Sequence, residues 1–539
     1  MSNNINKWQP LIYALLISLG LLLGIYLKPA NFVQNFTAGN NKFSELLSII
    51  DQSYVDSINI VDMEEKTINN LLNSLDPHSV YIPASRLKLT TEQLEGNFEG
   101  IGIEFNIFGD TIMVVSAISG GPAQELGIQP GDRIIKVETL NVAGVGVTSD
   151  RVFKLLKGKG GTEVNIVVYR PSSKQMIPYK IIRSKIPIYS VDAWMMLNTE
   201  TGYIKVSRFA ENTHKEFLKA FSELEKQGLK NLVLDLRGNP GGYLSAAIDL
   251  ADEFLDDRKL IVYTQGRTKP RAQYEAEHAG IFEKGKLVVL IDEGSASASE
   301  IVSGAVQDWD RGIIVGRRSF GKGLVQEPYE FKDGSALHLT VSRYYTPSGR
   351  CIQKDYSNSE NYQNDLLNRF ENGEMEDYSK RLILDSTPYH TKELNRTVFG
   401  GGGISPDLFV PLDTSYNSHF LTLVVSNALI GKFAYDYLDR NRNAISAISS
   451  LKVFNDTYQI SNLAYKEFIT FVVSQGILAP PETDNRRSEE FIKLQIKALI
   501  ARQIWRDQGY YAVIQKDDKA LKQALFAIEH YKTLLSANK

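Results

Sequence analysis

Gly294-Ser295-Ala296-Ser297-Ala298-Ser299-Glu300-Ile301 joins two patterns of different period. Before it, Lys286-Leu287-Val288-Val289-Leu290-Ile291 is a short apolar run that reads as a buried strand. After it, Ile301, Val302, Ala305, Val306 and Trp309 recur at helical spacing. Small and hydroxyl residues therefore fill the turn between a strand and the first turn of a helix. Backbone N–H groups left free at a helix start, with the positive end of its dipole, favour a developing oxyanion. A serine in this turn suits an acyl-transfer nucleophile. The plainer alternative is a helix cap, with Ser297 and Glu300 forming a capping box.

A second stretch bears on that choice: Arg317-Arg318-Ser319-Phe320-Gly321-Lys322-Gly323-Leu324-Val325-Gln326. Its lysine stands between glycines, which permit close backbone approach and unusual dihedrals that a surface lysine does not need. None of the seven histidines lies in a pattern that pairs it with a serine and an aspartate, and no G-x-S-x-G elbow occurs. A Ser–Lys dyad is the alternative. It requires a neutral lysine, hence a dry pocket, and lowering a lysine from about 10.4 to about 7 costs roughly 4–5 kcal/mol of differential solvation. Gln326 is placed to orient the amine. Phosphate binding by Lys322 is the rival role, but glycine rather than serine or threonine follows it.

Gly294 to Glu300, then Lys322 and Gln326, resembles the C-terminal processing (tail-specific) serine proteases, and the resemblance runs from roughly residue 42 to 411. It implies Ser297 as nucleophile, Lys322 as general base and Gln326 as the residue that positions it. It also implies an oxyanion hole from the N–H of Ala298 and of Gly241 or Gly242, between which the sequence does not choose. The implied core is α/β, of the ClpP/crotonase kind. No metal, nucleotide or other cofactor is implied.

Composition fits several domains. The chain has 539 residues, is 43% hydrophobic and carries a net charge of −3, which gives no global pull toward nucleic acid. A single cysteine, Cys351, excludes an intramolecular disulfide. Residues 1–29 contain Trp8 to Leu27, twenty residues without a charge, long enough to span a bilayer core. A retained anchor and a cleaved signal peptide both fit, and the absence of a small-x-small site soon after it favours the anchor. Either places the rest in the cell envelope, outside the cytoplasmic membrane, in the periplasm.

Residues 30–94 read as a linker and two or three helices, ending at Asp76-Pro77-His78-Ser79. There Asp76 reads as a turn cap. Residues 95–185 resemble a PDZ domain, through Gly100-Ile101-Gly102-Ile103, Gly121-Pro122-Ala123 and Gly127-Ile128-Gln129-Pro130-Gly131-Asp132. Such a domain offers loop N–H groups to a peptide's terminal carboxylate and adds the peptide to a sheet edge. Gly100, Ile101, Gly102 and Ile103 match that loop, and Val152 and Leu156 are candidates for the groove-lining helix face. Lys157 reads as exposed solubilising charge.

Strands and helices alternate through residues 186–345, within an expected protease core of 186–411 that is interrupted at about 354–395 by a stretch rich in Asn, Glu, Asp and Tyr, which reads as a mobile insertion or lid. Asp235 and Arg237 read as a structural ion pair, and Leu324 to Tyr345 as a hairpin. Residues 412–539 are helical by pattern and suit packing, homo-oligomer formation or adaptor binding. The whole is a multidomain α/β chain: membrane segment and helices, β-rich PDZ domain, α/β protease core, helical C-terminal region. The expected function is a Ser–Lys endopeptidase that takes protein substrates by their C-terminal residues. The rival from another class is a non-catalytic PDZ scaffold for protein tails.

Overall fold

A computed structural model describes residues 41–383 and 385–537. The apolar segment Trp8–Leu27 lies outside them, and no helix among the described residues is long and apolar enough to cross a membrane. Residues 41–75 form two helices, α1 (Asn41–Ser53) and α2 (Ile60–Asn73). Asn59 caps α2, its Oδ1 accepting from the N–H groups of Val61 and Asp62 at 3.1 and 3.4 Å.

Residues from Asp76 onward make the second compact unit. It opens with β1 (Val80–Ile82) and α3 (Ala84–Glu95). A β-rich module follows: β2 (Asn97–Gly100), β3 (Ile103–Phe108), β4 (Thr111–Ala117), α4 (Pro122–Glu125), β5 (Arg133–Val137) and β6 (Leu140–Asn141). It is completed by α5 (Ser149–Leu156), β7 (Glu163–Arg170), β8 (Gln175–Ile182) and β9 (Ser184–Pro187). Its sheet runs β3-β4-β5-β7-β8, and β2 pairs with β9. Alternation sets its inner face: Val164, Ile166 and Val168 are buried while Glu163 and Asn165 are exposed. Val152 on α5 is fully buried against that face.

The central layer comes next: β10 (Val191–Met196), β11 (Thr201–Val206), α6 (Thr213–Glu225), β12 (Asn231–Asp235) and α7 (Leu244–Asp252). It continues through β13 (Leu260–Gln265), β14 (Ala272–Glu275), β15 (Lys286–Ile291), α8 (Ala298–Asp308), β16 (Ile313–Gly316), β17 (Leu324–Glu330) and β18 (Ala336–Tyr345). After these stand α9 (Ser359–Gln363), α10 (Asp365–Glu371), β19 (Tyr389–His390), β20 (Thr397–Val398) and β21 (Leu408–Phe409). The main sheet has the order β10-β11-β12-β15-β16-β21, and only β10 is antiparallel to its neighbour. Its strands are apolar on both faces, as a sheet covered on both sides requires. Leu232, Leu234, Leu287, Val289 and Ile291 share a core with α6, α7 and α8. Val233, Val288, Leu290, Ile313 and Val315 share the opposite core with a later helix. A second sheet, β1-β18-β13-β14 with β17 on β18, contains the expected hairpin.

That later helix belongs to the C-terminal region: α11 (His419–Ser426), α12 (Leu429–Ser446), α13 (Leu451–Thr457), α14 (Asn462–Ser474), α15 (Glu482–Ile514), α16 (Lys519–Glu529) and α17 (Tyr531–Ala537). Helices α11 to α15 surround a core that includes Phe433, Phe454, Phe468, Ile492 and Ile496. Helix α12 also touches the β-rich module, where Tyr435 packs on Met113 and Val115. Helix α16 instead lies under the main sheet, with Leu521, Ala524 and Ile528 buried there.

Asp235, at the end of β12, fixes α16 to the sheet. Its carboxylate accepts from Tyr203 Oη at 2.8 Å and Lys205 Nζ at 3.3 Å. It also pairs with Arg237 at 2.6 Å, and Arg237 extends to Asp518, the cap of α16, at 2.7 Å. Although burial opposes ionisation, Arg237 and Lys205 hold the Asp235 carboxyl well below the usual carboxylate range. A depressed carboxyl pKa stabilises the fold above the unfolded value near 3.9, and that contribution is lost as pH falls toward the folded value. Asp235→Asn is expected to cost about 3–5 kcal/mol, because a buried cation loses its partner. In denaturant unfolding across pH, the wild type should lose stability below about pH 4 more steeply than the variant. Equal stability of the two at neutral pH would remove the Asp235 cluster from this role.

Candidate active site

The Ser297 turn is clamped to the neighbouring strand end before any catalytic question arises. Asp292 Oδ1 accepts from the N–H of Gly238 at 2.7 Å and of Gly294 at 3.0 Å. Ser295 Oγ donates to Leu236 O at 2.8 Å. Held from both sides, Ser297 adopts φ 54° and ψ −112° at the start of α8. For a residue with a Cβ that conformation costs on the order of 1–3 kcal/mol, and it persists only where the surroundings over-determine it.

Glu300 supplies that determination. Its side chain is fully buried on the first turn of α8. Oε2 accepts from Ser297 N–H at 2.8 Å and Lys322 N–H at 2.9 Å. Oε1 accepts from Gly321 N–H at 2.7 Å and Ser319 Oγ at 2.5 Å. One carboxylate thus ties the serine turn to the lysine loop. Tyr344 on β18 adds a second tie, its buried hydroxyl lying 2.6 Å from Lys322 O and 3.1 Å from Ser297 O. Burial pushes the Glu300 carboxyl up to about 7, against the pull of its four donors.

Lys322 makes no ion pair among the described residues. Burial lowers its ammonium pKa, while the charges of Glu300 and Asp76 act in the opposite sense. Asp76 caps its turn, accepting from His78 and Ser79 N–H at 2.8 Å each. Its Oδ1 also receives Thr340 Oγ1 at 3.0 Å, and Thr340 Oγ1 accepts from Gln326 Nε2 at 3.3 Å. Gln326 therefore hydrogen-bonds Thr340, and the described residues show no bond from it to Lys322. His78 is close enough to Lys322 to feel its charge. Burial first, and Lys322 second, pull the imidazole down to about 4. Its Nε2 meets Tyr362 Oη at 2.5 Å.

Tyr362 comes from the insertion, and that insertion is packed down. Arg369 on α10 donates to Arg318 O at 2.6 Å, and Glu374 pairs with Arg318 at 2.6 Å. The segment expected as a lid thus buttresses the loop that carries Lys322.

The glycine turn after β12 lies directly against Ser297. A Cβ on Gly241 would stand 2.8 Å from Ser297 Cβ and 2.9 Å from Ala298 N. A Cβ on Gly242 would meet Phe209 O at 1.9 Å, so only glycine fits. Gly241 N–H is already spent on Asn239 Oδ1 at 2.9 Å. Gly242 N–H and Ala298 N–H have no hydrogen-bond partner among the described residues.

In the β-rich module, Ile101, Gly102, Ile103 and Leu156 line a cleft of about 880 Å³. Gly100 instead pairs with Ser184 at the β2–β9 contact, and Val152 sits in the core. Phe153, one residue further round α5, faces the cleft, and helical phase counted from Leu156 would have found it. Lys157 pairs with Glu92 and stands 5.0 Å over the Phe98 ring, so it is part of the cleft wall rather than solubilising charge.

Residues 200–358 match Peptidase family S41, residues 113–170 match the PDZ domain, and residues 420–507 match a family of unknown function. A carboxy-terminal-processing protease of Bartonella bacilliformis is 34% identical over 345 residues, covering 61% of this chain and 78% of the relative. The chain belongs to peptidase family S41. A probable CtpA-like serine protease of Staphylococcus aureus is 34% identical over 358 residues, covering 65% of this S41 chain and 71% of the relative. Carboxy-terminal processing protease CtpB of Bacillus subtilis is 34% identical over 319 residues, where the match spans 58% of this chain and 65% of the relative's length.

Glu300 gives this S41 site a measurable signature. Its carboxyl titrates near 4.5 when unfolded and near 7 when folded, so the unfolded chain releases a proton that the folded chain keeps. Its contribution makes stability fall as pH rises from about 4.5 to about 7. Unfolding free energies of wild type and Glu300→Gln across that interval should diverge, with the fall missing from the variant. Parallel curves would mean that Glu300 does not titrate there.

Proposed function

We propose that this chain is a serine endopeptidase in which Ser297 is the nucleophile and neutral Lys322 the general base. The observation that carries the reading is the pair of ties, Glu300 and Tyr344, that hold a strained serine turn beside a desolvated, unpaired lysine. Lys322 takes the Ser297 Oγ proton as Oγ attacks the scissile carbonyl carbon. The oxyanion is received by Ala298 N–H and Gly242 N–H, the two donors without a partner of their own. Gly241 does not serve, because its N–H is engaged by Asn239. Collapse expels the amine, which leaves with the proton from Lys322. Lys322 then deprotonates the water that hydrolyses the acyl-enzyme. Gln326 acts through Thr340 and Asp76, fixing the strand that faces the lysine, rather than through a bond to the amine.

Substrates are protein chains taken by a free C-terminus. The Ile101 and Gly102 N–H groups, without backbone partners among the described residues, receive the terminal carboxylate. The last side chain enters between Ile103, Phe153 and Leu156. The uncharged run Trp8–Leu27 supports a membrane tether, with the catalytic part outside the cytoplasmic membrane.

Wild type should cleave an unfolded reporter with an apolar C-terminal tail, and Ser297→Ala should not. Equal cleavage by the two would exclude Ser297. Amidating the reporter's terminal carboxylate should raise KM. Because Lys322 must be neutral to act and burial lowers its pKa, kcat/KM should rise with pH and level off below the ordinary lysine value of about 10.4. Glu300→Gln should lower kcat by about 100-fold by loosening the serine and lysine turns together. An unchanged kcat would separate Glu300 from the chemistry.

A further inference from the structure

The cleft that holds Ile101 to Ile103 is not built by the β-rich module alone. Helix α15 breaks at Arg506, with φ 59° and ψ −152°. That region of backbone space belongs essentially to glycine, and an arginine there is strained. Arg502, Trp505, Arg506 and Gln508, on either side of the break, line the cleft together with α5 and β3. The break is held in place from both ends. Gln508 Oε1 accepts from Trp194 N–H at 3.0 Å, and its Nε2 donates to Trp194 O. Arg502 pairs with Glu104 of β3 at 2.9 Å and with Asp507 at 2.8 Å. Glu104 directly follows Ile103, so a peptide added along the edge of β3 would run past this ion pair.

The charges on the cleft walls do not cancel. Lys157 is paired with Glu92, and Arg502 with Glu104 and Asp507. Arg208, Lys219 and Arg506 also line the cleft and have no ion pair among the described residues. Arg208 Nε is moreover buried without a hydrogen-bond partner among the described residues, and so is Oε1 of Gln503 on α15. The one remaining lining acid, Asp192, accepts from Ser207 Oγ at 2.7 Å. Five cations thus meet four acids along the walls, a net positive charge in a partly enclosed space, with Arg208, Lys219 and Arg506 free of ion pairs among the described residues and the field screened less than at an open surface.

We propose that the elbow of α15 is the second wall of the tail-binding cleft and selects protein tails with acidic side chains a few residues before an apolar, free C-terminus. This rests on the tail recognition proposed above and gives a task to the helical region that matches a family of unknown function. The terminal carboxylate engages the loop of β3, and the chain leaves along β3 toward the elbow. There an upstream Asp or Glu competes with Glu104 for Arg502 and meets the unpaired Arg208, Lys219 and Arg506.

The test uses the full chain with Ser297→Ala and three labelled peptides sharing one apolar last residue: acidic upstream, lysine-rich upstream, and acidic upstream with an amidated C-terminus. Fluorescence anisotropy should show the acidic free tail binding at least tenfold more tightly than the lysine-rich one, with the difference shrinking at high salt. Arg506→Gly, which relieves the strained backbone instead of straining it, should reduce that preference at least threefold, and Arg208→Gln should do likewise. The amidated peptide should bind weakly. Equal binding of acidic and lysine-rich tails, or a preference untouched by both variants, overturns the proposal while leaving tail recognition standing. Equal binding of free and amidated tails overturns tail recognition itself, and the proposal with it.

Discussion

A fully buried carboxylate with four donors on it is the constraint on which the catalytic half of this molecule depends. Ser297 and Lys322 belong to different turns, one at the head of α8 and one before β17. Glu300 Oε2 reaches the backbone N–H of both residues, and with the Tyr344 hydroxyl on their carbonyls it sets their relative position. The arrangement is stiff because α8 is buried along its entire length and cannot shift without opening the core. Strain at Ser297 and desolvation at Lys322 are both unfavourable taken alone. The sheet and its two helical layers bear that cost.

The same logic explains why much of the site was legible in sequence and part of it was not. The change from an apolar strand to a helical period located the Ser297 turn, and the glycines around Lys322 marked a loop where backbone comes close. Both are local signals. Glu300 could be seen locally only as a capping-box acid, because its other partners, Ser319, Gly321 and Lys322, arrive from a distant loop. Gln326 reads as a neighbour of Lys322 along the chain, yet a register shift between Val325 and Gln326 sends its side chain to Thr340 on the next strand. The choice between Gly241 and Gly242 turns on where the Asn239 side chain points, which no pattern of residue types encodes.

The cleft wall on α15 was least visible. Its break at Arg506 carries no proline, and its one local signal is Gly509, where a Cβ would stand 2.4 Å from Ala501 O across the bend. What holds it is tertiary: Gln508 on Trp194, and Arg502 on Glu104, contacts that span most of the chain. Lys157 was misread for a related reason, since its partner Glu92 and the rings of Phe98 and Phe153 come from three separate elements.

The position of α16 has a consequence for how this protein is made. The face of the main sheet formed by Val233, Val288, Leu290, Ile313 and Val315 is covered by α16, which comes more than a hundred residues after the last of those strand residues. While a nascent chain is still being synthesised, that face has no cover, and Asp235 and Arg237 lack the carboxylate of Asp518. Every strand of that sheet has left the ribosome well before the helix that covers this face. The order of synthesis therefore leaves this face of the sheet open until the helical region has been produced and folded back.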